Sequence, residues 1–362
     1  MSIESELKKD GITIIKQLDT LSVTLIAKFV AEKFISYFPF AHMKYHDLFI
    51  KISRLGMYIA DIPEGMSEAN YFYKNEAIYF KNGLNIDEMK ELTVHEFIHH
   101  FQELKDNRGV LYRLGLCDFT SFKIHGNALN EASVQLMSSK ILKKEEDTVK
   151  YYGIDFSTSS PTYYPLLCNL INQMGYITGY QVLFDSTLYS NDKFKNCFIK
   201  LCGLNTYYEI ENNFEKILNA EEQIIRLTST LQQNELNEKE IAKASIKIGK
   251  LKSIIKNTFI STQNKILTSY FDSALNNLYS VQDIEDYRKK LYSYKDLLGT
   301  TENYTFFNDY YINLMSKLDS IYESINGYTS LTIYKRSILQ IVLSKISKLF
   351  GRNLETDFIN NN

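Results

Sequence analysis

A chain of 362 residues is long enough for two domains or one large one, and 44% hydrophobic with 23% charged residues suits a globular protein with a sizeable core. The formal net charge is only −2 at pH 7, so no global basic field draws in nucleic acid or anionic lipid, and neither is expected as a partner. Four cysteines, Cys117, Cys168, Cys197 and Cys202, include no Cys-x-x-Cys pair; this argues against a thiolate zinc site and for buried free thiols in a reducing compartment. Fifteen glycines and four prolines are few for this length and favour long uninterrupted helices. With 27 Tyr, 22 Phe and no Trp, much of the aromatic packing carries a hydroxyl that needs a partner once buried.

In chain order, helical patterning covers residues 3–17 and 20–36. The apolar stretch Leu21 to Phe40 is interrupted by Lys28, Glu32 and Lys33, so it reads as an amphipathic core helix and not as a membrane span. No apolar run of the signal-peptide kind stands near the N-terminus, and a cytoplasmic protein is the expectation, with export lacking such a signal left open. His42 and His46, four apart after Phe38-Pro39-Phe40, have no Glu in the motif place and are read as structural. Met57 to Ala60, Tyr71 to Tyr73 and Ala77 to Phe80 are short, aromatic or β-branched, and separated by Pro63-Glu64-Gly65 and Lys74-Asn75-Glu76; three strands are expected, the last two as a hairpin.

A helix then opens at Asn85, with Glu88 completing a capping-box spacing. Ile86, Val94, Phe97, Ile98, Phe101 and Leu104 form its buried face, and Gly109 is placed to end it. A second helix is expected over 128–142 and a third from Ser160-Pro161, carrying Leu166, Leu167, Leu170, Ile171 and Met174. Beyond about residue 206 proline disappears. Ile241, Ala244, Ile248, Leu251 and Ile255 follow the three-four spacing of a helical hairpin or coiled coil, and the lysines of 247–256 read as its solvated face. The expected fold is α+β and predominantly helical. Its expected parts are a catalytic domain with a small strand region over 1–205, two or three coiled-coil-like helices over 206–350, and a disordered tail over 351–362.

The run Thr93-Val94-His95-Glu96-Phe97-Ile98-His99 holds a His-Glu-x-x-His motif. On a helix, residues four apart share one face, so both imidazoles can reach one ion, while Glu96 stands beside it as a general base. A catalytic zinc site needs a third protein ligand. Gln102 and Lys105 stand where a metzincin would carry Gly and a further ligand, so that pattern fails. Glu131, within Asn130-Glu131-Ala132 on the next predicted helix, is the better candidate; His125 and Glu103 are the alternatives.

The motif followed by a helix with Asn-Glu-Ala resembles the gluzincin metallopeptidases, the thermolysin-like superfamily, over roughly residues 56–142. The resemblance implies a zincin-like domain, one zinc on His95, His99 and Glu131, catalysis by Glu96, and a peptide or protein substrate. Val134 and Gln135 stand where such enzymes often carry Ser-Asp, so the carboxylate that would orient a histidine is absent there, with Gln135 as a substitute. The resemblance also implies an edge strand for the substrate, for which Ala77 to Phe80 is expected, and a Tyr or His oxyanion donor, for which Tyr163, Tyr164 and His125 are candidates. His100 points about 100° away from His99 and is read as packing. Glu96-Phe97-Ile98-His99 is also a Glu-x-x-His, but no second copy exists to build a di-iron bundle. The competing expectation is an inactive scaffold whose C-terminal helices bind a helical protein partner or a second copy.

Overall fold

The computed structural model describes residues 3–9, 11–38, 43–120, 124–233, 237–298 and 306–327. The described residues form two compact units, one from those up to Phe271 together with Tyr294–Leu298, the other from Asp272–Ser293 and 306–327. No helix among the described residues is long and apolar enough to cross a membrane.

The first unit begins with α1 (Ile3–Lys9) and β1 (Thr13–Gln17), where one helix over 3–17 was expected. Gly11, at φ 78°, ends α1, and the β-branched Thr-Ile-Ile run pairs as a strand instead. α2 (Thr20–Tyr37) is capped by Asp19, whose carboxylate accepts the Ser22 amide at 2.9 Å. α3 (Tyr45–Ser53) follows, with His46 exposed on it; His42 lies outside the described residues.

β2 (Gly56–Asp61), β3 (Ala69–Phe72) and β4 (Ala77–Lys81) form with β1 a mixed sheet of order β1-β2-β4-β3. β2 and β4 are parallel, and β3 and β4 make the expected antiparallel hairpin. The order corrects one expectation: Ala77 to Phe80 is interior, and β3 is the edge strand beside the site. Within the sheet β4 is covered on both faces, while β1 is exposed along its length. Ala77 and Tyr79 join Leu7, Ile12, Ala60 and Ile62 in a cluster under α1. By the two-residue alternation of a strand, Ile78 and Phe80 face the other way; both are fully buried.

On that side lies α4 (Ile86–Gln102), whose cap is the full reciprocal box: the Asn85 side chain accepts from Glu88 N, and the Glu88 carboxylate accepts from Asn85 N. Val94, Phe97 and Ile98 are fully buried, and Phe97 meets Phe34 of α2 edge-on with centroids 5.2 Å apart. Contrary to the expected end near Gly109, α4 stops at Gln102, and Glu103 turns directly into β5 (Glu103–Lys105). β5 pairs with β6 (Leu111–Leu114), and β6 with β7 (Cys117–Asp118). The branched and aromatic side chains around Val110 and Tyr112 suit a hairpin better than further helical turns.

α5 (Asn127–Ile141) matches the second expected helix. The β8 (Asp147–Tyr151) and β9 (Ile154–Thr158) hairpin follows. α6 (Pro165–Thr178) starts five residues after Ser160, because Tyr164, at φ 49°, is the left-handed residue before the helix and Pro165 takes its first position. α7 (Tyr180–Leu188) and α8 (Lys193–Cys202) lead to α9 (Leu204–Gln233) and α10 (Glu238–Leu275). No disulfide joins the four cysteines; Cys117 and Cys168 are buried, Cys197 and Cys202 only partly so.

The chain does not divide at 205/206. α9 packs Ile210, Phe214 and Ile217 into the first unit with no exposure, and its Glu215 carboxylate accepts the Ala128 amide at 2.9 Å, capping α5 where Gly126 offers no side chain. The expected stripe along α10 is real only in part: Leu251 and Ile255 are buried, while Ile241 is exposed. The second unit holds the end of α10, most of α11 (Val281–Leu298) and α12 (306–327), with Arg288 paired to Asp319 at 2.6 Å. The expected tail over 351–362 lies outside the described residues.

Candidate metal centre

Two helices bring the expected ligands together. α4 carries His95 and His99 one turn apart, and α5, packed against it, delivers Glu131. One ligand atom from each of the three lies within 4.8 Å of the others. The Nε2 atoms of His95 and His99 stand 3.1 Å apart, and the Glu131 carboxylate oxygens are 3.6 Å from the first and 3.5 Å from the second. Donors 2.0–2.1 Å from a tetrahedral zinc ion would be about 3.3 Å from one another. The three separations bracket that edge length. Three converging lone-pair donors and one negative charge suit a divalent cation of zinc's kind. Burial alone would raise the Glu131 pKa, but positive charge on the facing imidazoles of His99 and His95 would hold the carboxyl well below its usual range.

The tautomer of His95 is fixed by a neighbour. Its Nδ1 lies 2.7 Å from the Gln135 Oε1, so Nδ1 carries the proton and Nε2 keeps its lone pair for the cluster. Gln135 is one turn beyond Glu131 on α5. Its amide donates to the Ser160 Oγ at 2.9 Å, which donates on to the Tyr163 carbonyl at 2.5 Å. The place left without a carboxylate in the sequence is thus taken by an amide. His99 has no equivalent: its Nδ1 is buried and meets no hydrogen-bond partner among the described residues.

Glu96 is buried, 6% exposed, and its Oε2 accepts the backbone amide of Tyr71 at 2.8 Å. Burial pushes its pKa up to about 7; His95 opposes the rise and Glu131 adds to it. Tyr71 itself is pinned to the far side of α4. Its hydroxyl donates to Glu103 at 2.5 Å and lies 2.7 Å from His100 Nδ1, which must therefore be the donor in that pair. Burial, with Lys51 nearby, pushes the His100 pKa down to about 4, so the ring is neutral. His100, turned away from His99 on α4, and Glu103, at the start of β5, are thus held in a hydrogen-bond network away from the triad. His125 is also apart from the triad: it bridges to Asp118 through the backbone and stands 3.9 Å from Glu211.

The triad opens into a cavity of about 510 Å³ bordered by β3, α4, α5, the 159–164 loop and α9. Tyr163 and Tyr164 both border it, and Leu218 and Glu222 of α9 complete the wall. A buried amide pair fastens the two ligand helices: Gln102 Nε2 donates to Asn130 Oδ1 at 3.2 Å, and the same oxygen accepts the Leu116 amide at 3.0 Å. Sequence reasoning gave Gln102, Asn130 and Tyr71 no role at the site, and read Ser160 only as a helix cap. For Gln102 and Asn130 a signal existed, since each is polar and adjoins a ligand-bearing stretch; for Tyr71 and Ser160 no local pattern marks the partner. Against protein-family models, curated proteins and solved structures, the chain returns no match.

Proposed function

We propose that this protein is a zinc-dependent hydrolase that cleaves peptide bonds, with His95, His99 and Glu131 as the metal ligands and Glu96 as the general base. The convergence of three donor atoms within 4.8 Å at the floor of an open cavity carries this reading. Zinc supplies Lewis acidity: it lowers the pKa of water and polarises a carbonyl.

The chain's own residues supply the rest. Glu96 stands beside the triad and does not belong to it, which is the position of a proton acceptor. The Tyr71 amide holds one of its oxygens and leaves the other to take a proton from water and return it to the leaving amine. A carboxyl poised near neutrality gives the proton up as readily as it takes it. Gln135 keeps the His95 Nε2 unprotonated and aimed at the cluster. Strand β3 is the edge strand: the Glu68 carbonyl accepts Lys81 N toward β4, and alternation turns Ala69 and Tyr71 the other way, where the Tyr71 amide already holds Glu96 and the Ala69 amide faces the cavity. An extended peptide can pair along that edge. Tyr163 and Tyr164 border the cavity; the Tyr163 hydroxyl already donates to Glu68, which leaves Tyr164, kept protonated by burial and nearby carboxylates, as the tyrosine O–H for a developing oxyanion.

Elemental analysis and a peptide-cleavage screen test the proposal together. Wild type is expected to carry one zinc per chain and His95→Ala none; Glu96→Gln is expected to keep the zinc and lose turnover by about 10²-fold or more. Full turnover in Glu96→Gln, or no metal uptake by wild type supplied with zinc, overturns it.

A further inference from the structure

The cavity and its triad define the site; the charges around them indicate what enters it. Six carboxylates border the cavity, Glu68, Glu88, Glu91, Glu96, Glu131 and Glu222, and among the bordering residues the only lysine or arginine is Lys144. Lys144 is already paired with Glu91 at 2.7 Å. A divalent cation on the triad would offset Glu131 and Glu96. Glu88 is occupied by the Asn85 amide at the helix cap, and Glu222 by Arg226 at 3.3 Å.

Glu68, unlike Glu91 and Glu222, has a neutral partner, the Tyr163 hydroxyl, which donates to Oε2 at 2.5 Å; Glu88 shares that neutrality but is tied into its own helix cap. The Glu68 backbone is locked by the hydrogen bond from Lys81 N, so the carboxylate is presented from a fixed strand position. A carboxylate has lone pairs beyond the one this hydroxyl uses. Glu68 also lies along the strand edge from Tyr71, whose amide holds Glu96. Three residues of extended chain span about 10 Å. A peptide paired along β3 with its scissile bond at Glu96 would therefore place a side chain two or three residues away opposite Glu68.

Resting on the peptidase reading, we infer that the cleft selects peptides bearing a lysine or arginine, with Glu68 as the specificity-determining residue that receives the cation. A cationic side chain would restore charge balance in a partly desolvated cleft, where an unmatched carboxylate is costly. Hydrophobic peptides gain nothing from Glu68.

Binding of fluorescein-labelled peptide pairs, alike except that one carries lysines and the other acetyl-lysines, is measured by anisotropy on zinc-loaded Glu96→Gln protein. Acetylation is expected to weaken binding about tenfold or more, and raising salt from about 50 to about 500 mM is expected to shrink the gap. Glu68→Gln is expected to bring the two peptides within about twofold of each other. The peptide comparison on the Glu96→Gln protein stands even where Glu68→Gln fails to fold. Equal affinity for both peptides, or affinity for neither, overturns the inference. Selective binding of the lysine peptide without cleavage by wild type removes the peptidase reading and leaves the cation selectivity standing; cleavage without selectivity does the reverse.

Discussion

Replacing Gln135 with Leu removes the acceptor from His95 while nearly keeping the volume. In the structure the Gln135 amide does two things: its oxygen takes the His95 Nδ1 proton at 2.7 Å, and its NH₂ reaches the Ser160 Oγ at 2.9 Å. Leu leaves the His95 Nδ1–H without its partner in a half-buried place, at about 1–3 kcal/mol, and frees the ring to rotate or change tautomer. The loss of such an orienting partner typically lowers metal affinity 10–100-fold, about 1.4–2.7 kcal/mol, so the two routes to the magnitude agree. Competition against a chromophoric zinc chelator at neutral pH reads the constant directly. Gln135→Leu is expected to bind zinc 10–100-fold more weakly, and Gln135→Glu to match wild type or exceed it, since a carboxylate accepts the same proton more strongly. A folded Gln135→Leu protein that holds zinc within twofold of wild type would refute the reasoning that this hydrogen bond sets the ligand tautomer.

Two predictions concern the frame around the site. Glu221 of α9 is buried, its Oε1 meets no partner among the described residues, and burial pushes its pKa up to about 8 from an ordinary 4.5. The folded chain therefore holds a proton that the unfolded chain releases above about pH 4.5, and stability falls as pH rises from there through about 8, by up to about 5 kcal/mol. Glu221→Gln is expected to flatten that fall, raising Tm at pH 8–9 and changing little at pH 5; thermal melts across the range that stay parallel to wild type would contradict this. Gly126→Ala puts a Cβ 2.5 Å from the Leu116 carbonyl oxygen at a residue with φ 76°, at the cap of the helix that bears Glu131. A loss of about 2 kcal/mol or more in urea unfolding is expected, and a loss under about 0.5 kcal/mol would show that the loop yields easily.

How far the sequence carried the argument depended on how local each signal was. The Asn85–Glu88 box, the stripe through Val94, Phe97 and Ile98, and the His95/His99 spacing are all written within one helix, so α4 and its two histidines were legible. Glu131 was placed on the right helix by a short motif 32 residues further on. The strand order was not legible, because parallel pairing of β2 with β4 moves β3 to the edge, and no residue of β3 announces this. The split of 3–17 into α1 and β1 turned on Gly11, a single left-handed residue. The change of texture at 206 reflects a long helix and not a boundary: Ile210, Phe214 and Ile217 sit on one face of α9 and are buried in the first unit. Its Lys/Glu/Asn-rich outer face masked this in the composition.

The Gln102–Asn130 pair has a consequence for how the centre is loaded. Because α4 and α5 are riveted by neutral amides, Gln102 one turn past His99 and Asn130 next to Glu131, with Leu116 N and the Ser190 hydroxyl tied into the same knot, their spacing does not depend on an ion. On the proposed metal reading, metal entry and loss would be events of exchange at a standing socket and not of folding. A chelator is then expected to strip the ion without melting the helices, and the emptied chain to wait, intact, for zinc to return.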